Sequence, residues 1–237
     1  MKRIVTINYN TPDFVEKLIL SINKHVSDAS ITVFDNSDKQ RYINHFSNVD
    51  VIDNTDGSII DFNKFLSMYP KRNMSPGRLN MFGSAKHCYT VEKCIEMIDH
   101  NFILLDSDVL IKRDISDLFD VSCIYVAEEL TQGNGIKRVS PHLCFINAEM
   151  CRKNGVHYFD DRYMHGLFTS LKSDQYDTGA GFFINARDFK HRNIRYEDYI
   201  VHYGHGSWND RSSKKPLTPY EFFTKYNEYW NEIHNDI

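Results

Sequence analysis

Two short β-branched runs separated by one amphipathic stretch open the chain, and few folds accept that order. Ile4, Val5, Thr6 and Ile7 form the first run and residues 30–34 the second. Between them, Thr11-Pro12-Asp13 reads as a helix start. Thr stands at the N-cap, Pro at the first helical position and Asp in the first turn. Phe14, Val15, Leu18, Ile19, Ile22 and Val26 then recur at helical spacing. Strand, helix, strand over this length is a βαβ unit, which joins parallel strands. It predicts an α/β fold with a mostly parallel central sheet flanked by helices.

The pattern continues downstream. Residues 49–52 read as a third strand, and residues 54–80, with Gly57, Pro70, Pro76 and Gly77, as helical pieces and loop. Cys88, Val91, Ile95 and Ile98 mark one face of a helix that leads into the run Phe102-Ile103-Leu104-Leu105. A short, wholly apolar run is the signature of a strand buried on both faces. Further strands are expected at 123–127, 143–146 and 199–203, a helical turn at 114–119 and a short helix at 147–153. Thr218-Pro219-Tyr220-Glu221 is a capping box. It opens a terminal helix over 216–237 with Phe222, Tyr226, Tyr229, Trp230 and Ile233 on one side.

The buried run at 102–105 ends in Asp106-Ser107-Asp108. In extended chain, residues two apart point the same way, so both carboxylates are expected on one side of a sheet edge. Paired hard oxygens suit Mg²⁺ or Mn²⁺ that also holds phosphates. In open α/β sheets, ligands bind at the carboxyl ends of strands.

Composition narrows the partners. Lys+Arg number 28 and Asp+Glu 32, a net charge of −4, so the chain lacks the basic footprint of a nucleic-acid binder. The five cysteines, Cys88, Cys94, Cys123, Cys144 and Cys151, are odd in number and contain no C-x-x-C. They argue against a disulfide framework or zinc ribbon and fit a reducing, cytoplasmic compartment. Neither a signal peptide nor an 18-residue apolar run is evident. One domain over 1–215 followed by the helix at 216–237 is the simplest organisation.

Five stretches, taken in order, resemble nucleotide-sugar glycosyltransferases of the GT-A (Rossmann-like) fold. Val5-Thr6-Ile7-Asn8-Tyr9-Asn10-Thr11 resembles the opening strand and turn of family 2 enzymes, and Val33-Phe34-Asp35-Asn36-Ser37 the end of their second strand. Gly83-Ser84-Ala85-Lys86-His87 stands at the place of their Gly-rich turn into a helix. Leu105-Asp106-Ser107-Asp108 is the acidic motif, and Val201-His202-Tyr203-Gly204-His205-Gly206-Ser207 resembles the late His motif.

The resemblance implies roles. A nucleoside-diphosphate sugar, foremost a UDP-sugar, would be the donor, and a saccharide or lipid-linked glycan the acceptor, in surface polysaccharide synthesis. Residues 1–108 would bind donor and 109–215 acceptor. Thr6, Asn8 and Tyr9 would border the base. Asp35 and Asn36 would meet base or ribose, and Lys86 the diphosphate. Asp108 would ligate Mn²⁺ or Mg²⁺, with Asp106 and Ser107 toward ribose or metal water. His202, or else His205, would complete the metal site. Asp177, or else Asp174, stands where an inverting enzyme keeps its general base, although Tyr176 replaces the expected Glu. Equally, the stretch from Asp106 to Phe119, with Asp174-Gln175 and His202, resembles retaining family 8 enzymes. A polar-aromatic cluster, Asp160, Asp161, Arg162, Tyr163 and His165, is a second candidate for sugar contact.

Other classes are weaker. Sugar nucleotidyltransferases carry a Gly-rich loop after the first strand, where this chain has Asn8-Tyr9-Asn10-Thr11-Pro12. A metal-dependent hydrolase would act without an added acceptor, and an inactive nucleotide-sugar-binding module would bind without turnover. The terminal helix, with Lys214, Lys215 and Lys225 nearby, packs on the domain or makes a peripheral contact at the inner face of a membrane.

Overall fold

The computed structural model of this chain describes residues 2–68, 82–133, 135–164 and 176–202. Its centre is a seven-stranded sheet. Lys2–Asn8 (β1) pairs in parallel with Ala29–Asp35 (β2) on one side and Phe102–Leu105 (β4) on the other. Val49–Asp53 (β3) extends the parallel set beyond β2. Lys137–Ile146 (β7) then runs antiparallel to β4 and to Tyr125–Thr131 (β6), and Arg192–Asn193 (β8) closes the far edge. The order is β3-β2-β1-β4-β7-β6-β8, a mostly parallel sheet with one reversed strand beside the centre.

Alternation along the strands feeds a core on each face. Ile4, Ile103 and Leu105 face the side of Pro12–His25 (α1), where Val15, Leu18, Ile19 and Ile22 bury. Val5, Phe102 and Leu104 face the side of Phe82–Met97 (α3), where Cys88, Val91, Cys94 and Ile95 bury. All four residues of β4 are fully buried, each worth roughly 1.5–3 kcal/mol on the transfer scale. The helix face expected at Cys88, Val91, Ile95 and Ile98 is the buried face of α3.

The start of α1 lies where expected, with Thr11 at the N-cap, Pro12 opening the helix and Asp13 in the first turn, but the cap is not made by Thr11. Thr11 makes no side-chain capping bond. Asn8 does the work of closing the turn, its Oδ1 accepting from the Thr11 N–H at 3.0 Å. The Thr11 hydroxyl instead lies 3.4 Å from the Asn8 Oδ1 and 3.4 Å from the Ser107 Oγ. Gly83 to His87 are helical, within α3, rather than a turn leading into a helix.

Beyond β4 the chain turns and re-enters as Val109–Ile111 (β5), which leaves the main sheet and pairs antiparallel with Ile200–His202 (β9). The helical turn expected near Ser116 is a 3₁₀ turn over Ser116–Leu118. Phe62–Ser67 (α2) lies in the segment read as helical pieces and loop. The short helix Ala148–Asn154 (α4) is capped by the Asn147 side chain accepting from the Met150 N–H. Ala180–Ala186 (α5) follows Gly179, whose φ is +84°. A Cβ at Gly179 would stand 2.0 Å from the Val139 carbonyl oxygen, so only glycine fits there. No helix among the described residues is long and apolar enough to cross a membrane. His165, Asp174, His205 and the terminal helix lie outside the described residues.

Candidate active site

A cavity of about 590 Å³ opens at the carboxyl ends of β1 and β4. Tyr9, Asn36, Lys86, Asp106, Ser107, Asp108, Asp177 and His202 line it, as do Ser84, His87, Arg138 and His142. Eight residues named from sequence therefore share one concavity.

The acidic pair reaches the cavity by a different local geometry from the extended one expected. β4 stops at Leu105, and Asp106 to Asp108 form a turn. The two carboxylates meet different partners. Asp106 Oδ2 lies 2.7 Å from His142 Nδ1, and its Oδ1 lies 3.9 Å from His87 Nε2. Asp108 Oδ1 lies 3.4 Å from His202 Nε2, a contact set by the register of β5 on β9, which pairs Val109 with His202.

Sequence reading missed His142. It belongs to β7, whose pairing of Leu143 with Leu105 puts His142 beside Asp106, and the Asp106 N–H donates to the His142 carbonyl at 3.4 Å. Pro141 precedes it, and the β6–β7 register shifts between Ala127 and Glu129 across this stretch. Proline cannot donate to a ladder, and such irregularities re-aim side chains beside sites. The imidazoles of His142 and His202 stack, with ring centroids 3.7 Å apart and planes 28° apart.

Charge follows the geometry. Burial pushes the Asp106 carboxyl up, but the His142 hydrogen bond and the nearby His142, His87 and His202 more than offset it, and the carboxyl sits well below its usual range. Burial lowers His87 against the opposing pull of Asp106. Burial also works to lower His202, but the Asp108 hydrogen bond and the charges of Asp108 and Asp106 outweigh it and raise the group. The donor set fits a divalent metal. Asp106, His142 and His202 each offer a ligand atom, all within 4.8 Å of one another. The buried His87 Nε2 has no hydrogen-bond partner among the described residues.

At another part of the wall, Lys86 Nζ sits 5.1 Å from the Tyr9 ring centroid and 5.1 Å from that of Phe62, donating to the Tyr9 hydroxyl at 3.3 Å. Asp177 accepts from the Thr178 N–H at 2.7 Å and the Ser84 hydroxyl at 3.3 Å, and pairs with Arg138 at 3.1 Å.

Three named residues do not reach the cavity. Thr6 is fully buried in β1, its hydroxyl without a hydrogen-bond partner among the described residues. Asp35 is 2% exposed. Its oxygens accept from Asn8 Nδ2 at 3.0 Å, the Ser37 N–H at 3.0 Å and the Tyr42 N–H at 2.7 Å. Asn8 is buried with it and divided between Asp35, Ser37 and Thr11. Asn36 lines the cavity, while its side chain donates to Thr90 Oγ1 and accepts from Asn54 Nδ2. In the second cluster, Asp160 takes up Arg162 in a local turn, with Arg162 Nε at 3.0 Å.

No family model matches the sequence, and no curated protein matches it. Solved structures do match the fold. The glycosyltransferase GlyE of Streptococcus pneumoniae TIGR4 superposes with a TM-score of 0.52 at 13% identity over 98% of this chain and 64% of that one. The galactosyltransferase LgtC, in complex with donor and acceptor sugar analogs, superposes with a TM-score of 0.51 at 14% identity, over 82% of this chain and 73% of that one. The chain thus spans less than two-thirds of the length of GlyE. At these identities the likeness shows the fold, an α/β fold of the GT-A glycosyltransferase type.

Proposed function

We propose that this chain is a metal-dependent glycosyltransferase moving a sugar from a nucleoside-diphosphate sugar, foremost a UDP-sugar, to a saccharide or lipid-linked glycan acceptor. The carrying observation is the convergence of Asp106, Asp108 and His202 on one cavity at the strand ends of this fold. A cytoplasmic setting and a place in surface polysaccharide synthesis go with that reading. Residues 1–108 supply the donor side and 109–215 the acceptor side.

Each residue has a physical task. Tyr9 offers an aromatic face at the mouth, 40% exposed, against which a base packs. Lys86, held between Tyr9 and Phe62, supplies a positive charge to the diphosphate. Asp106, Asp108 and His202 hold Mn²⁺ or Mg²⁺, with Ser107 beside them and His205 as the alternative imidazole. When bound, the ion acts as a Lewis acid toward the diphosphate leaving group. Asp177 accepts the proton of the acceptor hydroxyl in an inverting transfer, with Asp174 as the alternative.

One observation favours a second reading, retention of the anomeric configuration. The oxygens of Asp177 are engaged by Arg138 at 3.1 Å, the Thr178 N–H at 2.7 Å and the Ser84 hydroxyl at 3.3 Å rather than left open to an acceptor hydroxyl. The family 8-like transfer needs no base at this position.

A screen of nucleotide sugars for Mn²⁺-dependent donor hydrolysis tests the proposal. Turnover of at least one donor, lost in Asp108→Ala, is the expected result. Binding without turnover across donors and acceptors would leave a nucleotide-sugar-binding module instead. NMR of the anomeric bond in the product separates inversion from retention.

A further inference from the structure

We infer that His142 is a positioning residue, which fixes Asp106 through a hydrogen bond and His202 through its ring face and so sets the two carboxylate–imidazole pairs of the cavity as one unit. The inference deepens the reading above and rests on it only for what the assembled site does.

Each arm of this brace has its own geometry. On one side, Asp106 Oδ2 lies 2.7 Å from His142 Nδ1. A carboxylate only accepts, so Nδ1 carries the proton and donates it. The backbone doubles the link, since the Asp106 N–H donates to the His142 carbonyl at 3.4 Å. With Oδ2 taken, Oδ1 is the Asp106 oxygen left to other partners, and His87 Nε2 at 3.9 Å is beyond hydrogen-bond reach of it. On the other side, the His142 ring lies over the His202 ring, with centroids 3.7 Å apart and planes 28° apart. Tyr196 meets the His142 ring edge-on at 5.3 Å, so a second ring restricts it. His202 in turn reaches Asp108 Oδ1 through its Nε2 at 3.4 Å.

The same contacts describe a support rather than a ligand. His142 Nδ1 is spent on Asp106, which turns Nε2 to the far side of the ring, and stacked rings do not aim their nitrogens at one point. The closeness of Asp106, His142 and His202 is therefore that of two working groups and their brace. Asp106, Asp108, His142 and His202 are each less than a fifth exposed, so the brace works in a packed wall. A side chain that must be ordered as its ligand arrives costs the binding its rotamer entropy, whereas one already held does not. Partners that orient metal-binding groups in this way contribute about 10- to 100-fold in affinity.

The test reads Mn²⁺ binding by calorimetry on the full chain, stripped of metal, and needs no donor. His142→Ala removes both arms and is expected to weaken Mn²⁺ by about 10- to 100-fold. His142→Asn places an amide N–H where Nδ1 stood and keeps the Asp106 arm alone. His142→Phe keeps a ring against His202 alone. Each is expected to recover part of the loss, and thermal melting shows that each folds. In NMR spectra, the ring-current shift on the His202 ring protons should survive in His142→Phe and vanish in His142→Asn. Wild-type affinity in His142→Ala would overturn the inference. So would His142→Asn and His142→Phe that both bind as weakly as His142→Ala, the result for a ligand rather than a brace. A wild type that took up no Mn²⁺ would overturn the metal reading and the inference with it. Mn²⁺ binding that follows the expected series, with no donor turned over, would sink the transferase reading and leave the inference standing.

Discussion

The ends of β2 and β4 look alike in sequence and behave differently in space. They flank β1 on opposite sides, each a buried apolar strand running into an acidic residue. At β2, Asp35 is enclosed, and its partners are close by: Asn8 at the end of the neighbouring strand β1, and Ser37 and Tyr42 in the loop that follows β2. At β4, Asp106 and Asp108 meet imidazoles brought from far along the chain, His142 on β7 and His202 on β9. The lesson is that a carboxylate at a strand end becomes chemistry only when its own loop leaves its oxygens to others. Asp35 holds the loop beside the cavity; Asp106 and Asp108 line the cavity itself.

Substitutions can break that contrast. The largest effect is expected from Asp108→Ala, with kcat/KM for donor turnover falling by ~10³-fold and little change in melting, since stabilisation of developing charge by one group is worth about that much. Steady-state kinetics beside thermal unfolding would check it. Asp35→Ala should invert the pattern. It strands three buried donors and is expected to cost about 3 kcal/mol in urea unfolding, with activity following the folded fraction. A catalytic loss exceeding the unfolded fraction would erase the distinction between the two strand ends.

Metal sharpens the contrast further. Mn²⁺ at about 100 times its dissociation constant should stabilise the stripped wild type by about 2.7 kcal/mol. Asp35→Asn should keep that gain, and Asp106→Ala should lose most of it. The smallest effect concerns the turn between β1 and α1. A working N-cap Thr would lose about 1 kcal/mol on truncation. Thr11→Ala is expected to lose only a few tenths, because Thr11 makes no capping bond. Asn8→Ala should cost about 2 kcal/mol, since it leaves the Thr11 N–H without its acceptor. Denaturant titration of both variants decides which residue closes the turn.

Local signals explain what could be read in advance. The βαβ opening, the wholly apolar β4 and the helix face of α3 depend on periodicity and near-neighbour chemistry, which the sequence carries openly. That Asp106, Asp108 and His202 would share one cavity was legible because they stand in compact motifs. His142 and Arg138 were not. Nothing within residues 137–146 states that this strand reverses direction and inserts between β4 and β6, and that insertion alone brings His142 to Asp106 and Arg138 to Asp177. The Pro141 before His142 is the one local hint, since a proline inside a strand flags an irregularity. Asp35 was hidden for the opposite reason: its type and position suit a ligand contact, while its burial and its bonds to Asn8, Ser37 and Tyr42 depend on how the neighbouring strand and loop close over it. α5 was equally hidden, because Phe182-Phe183-Ile184 has no period that separates a helix from a strand.

The reversed strand β7 also acts as a spacer bar. Arg138 and His142 stand four residues apart on one sheet-bound segment, a span of roughly 13 Å if fully extended and less with the irregularity between them. The Asp106 end and the Asp177 end of the cavity are thus braced by backbone hydrogen bonds instead of being hung on separate loops. The two ends are modular: either residue can be exchanged to suit a new partner while the distance to the other stays put.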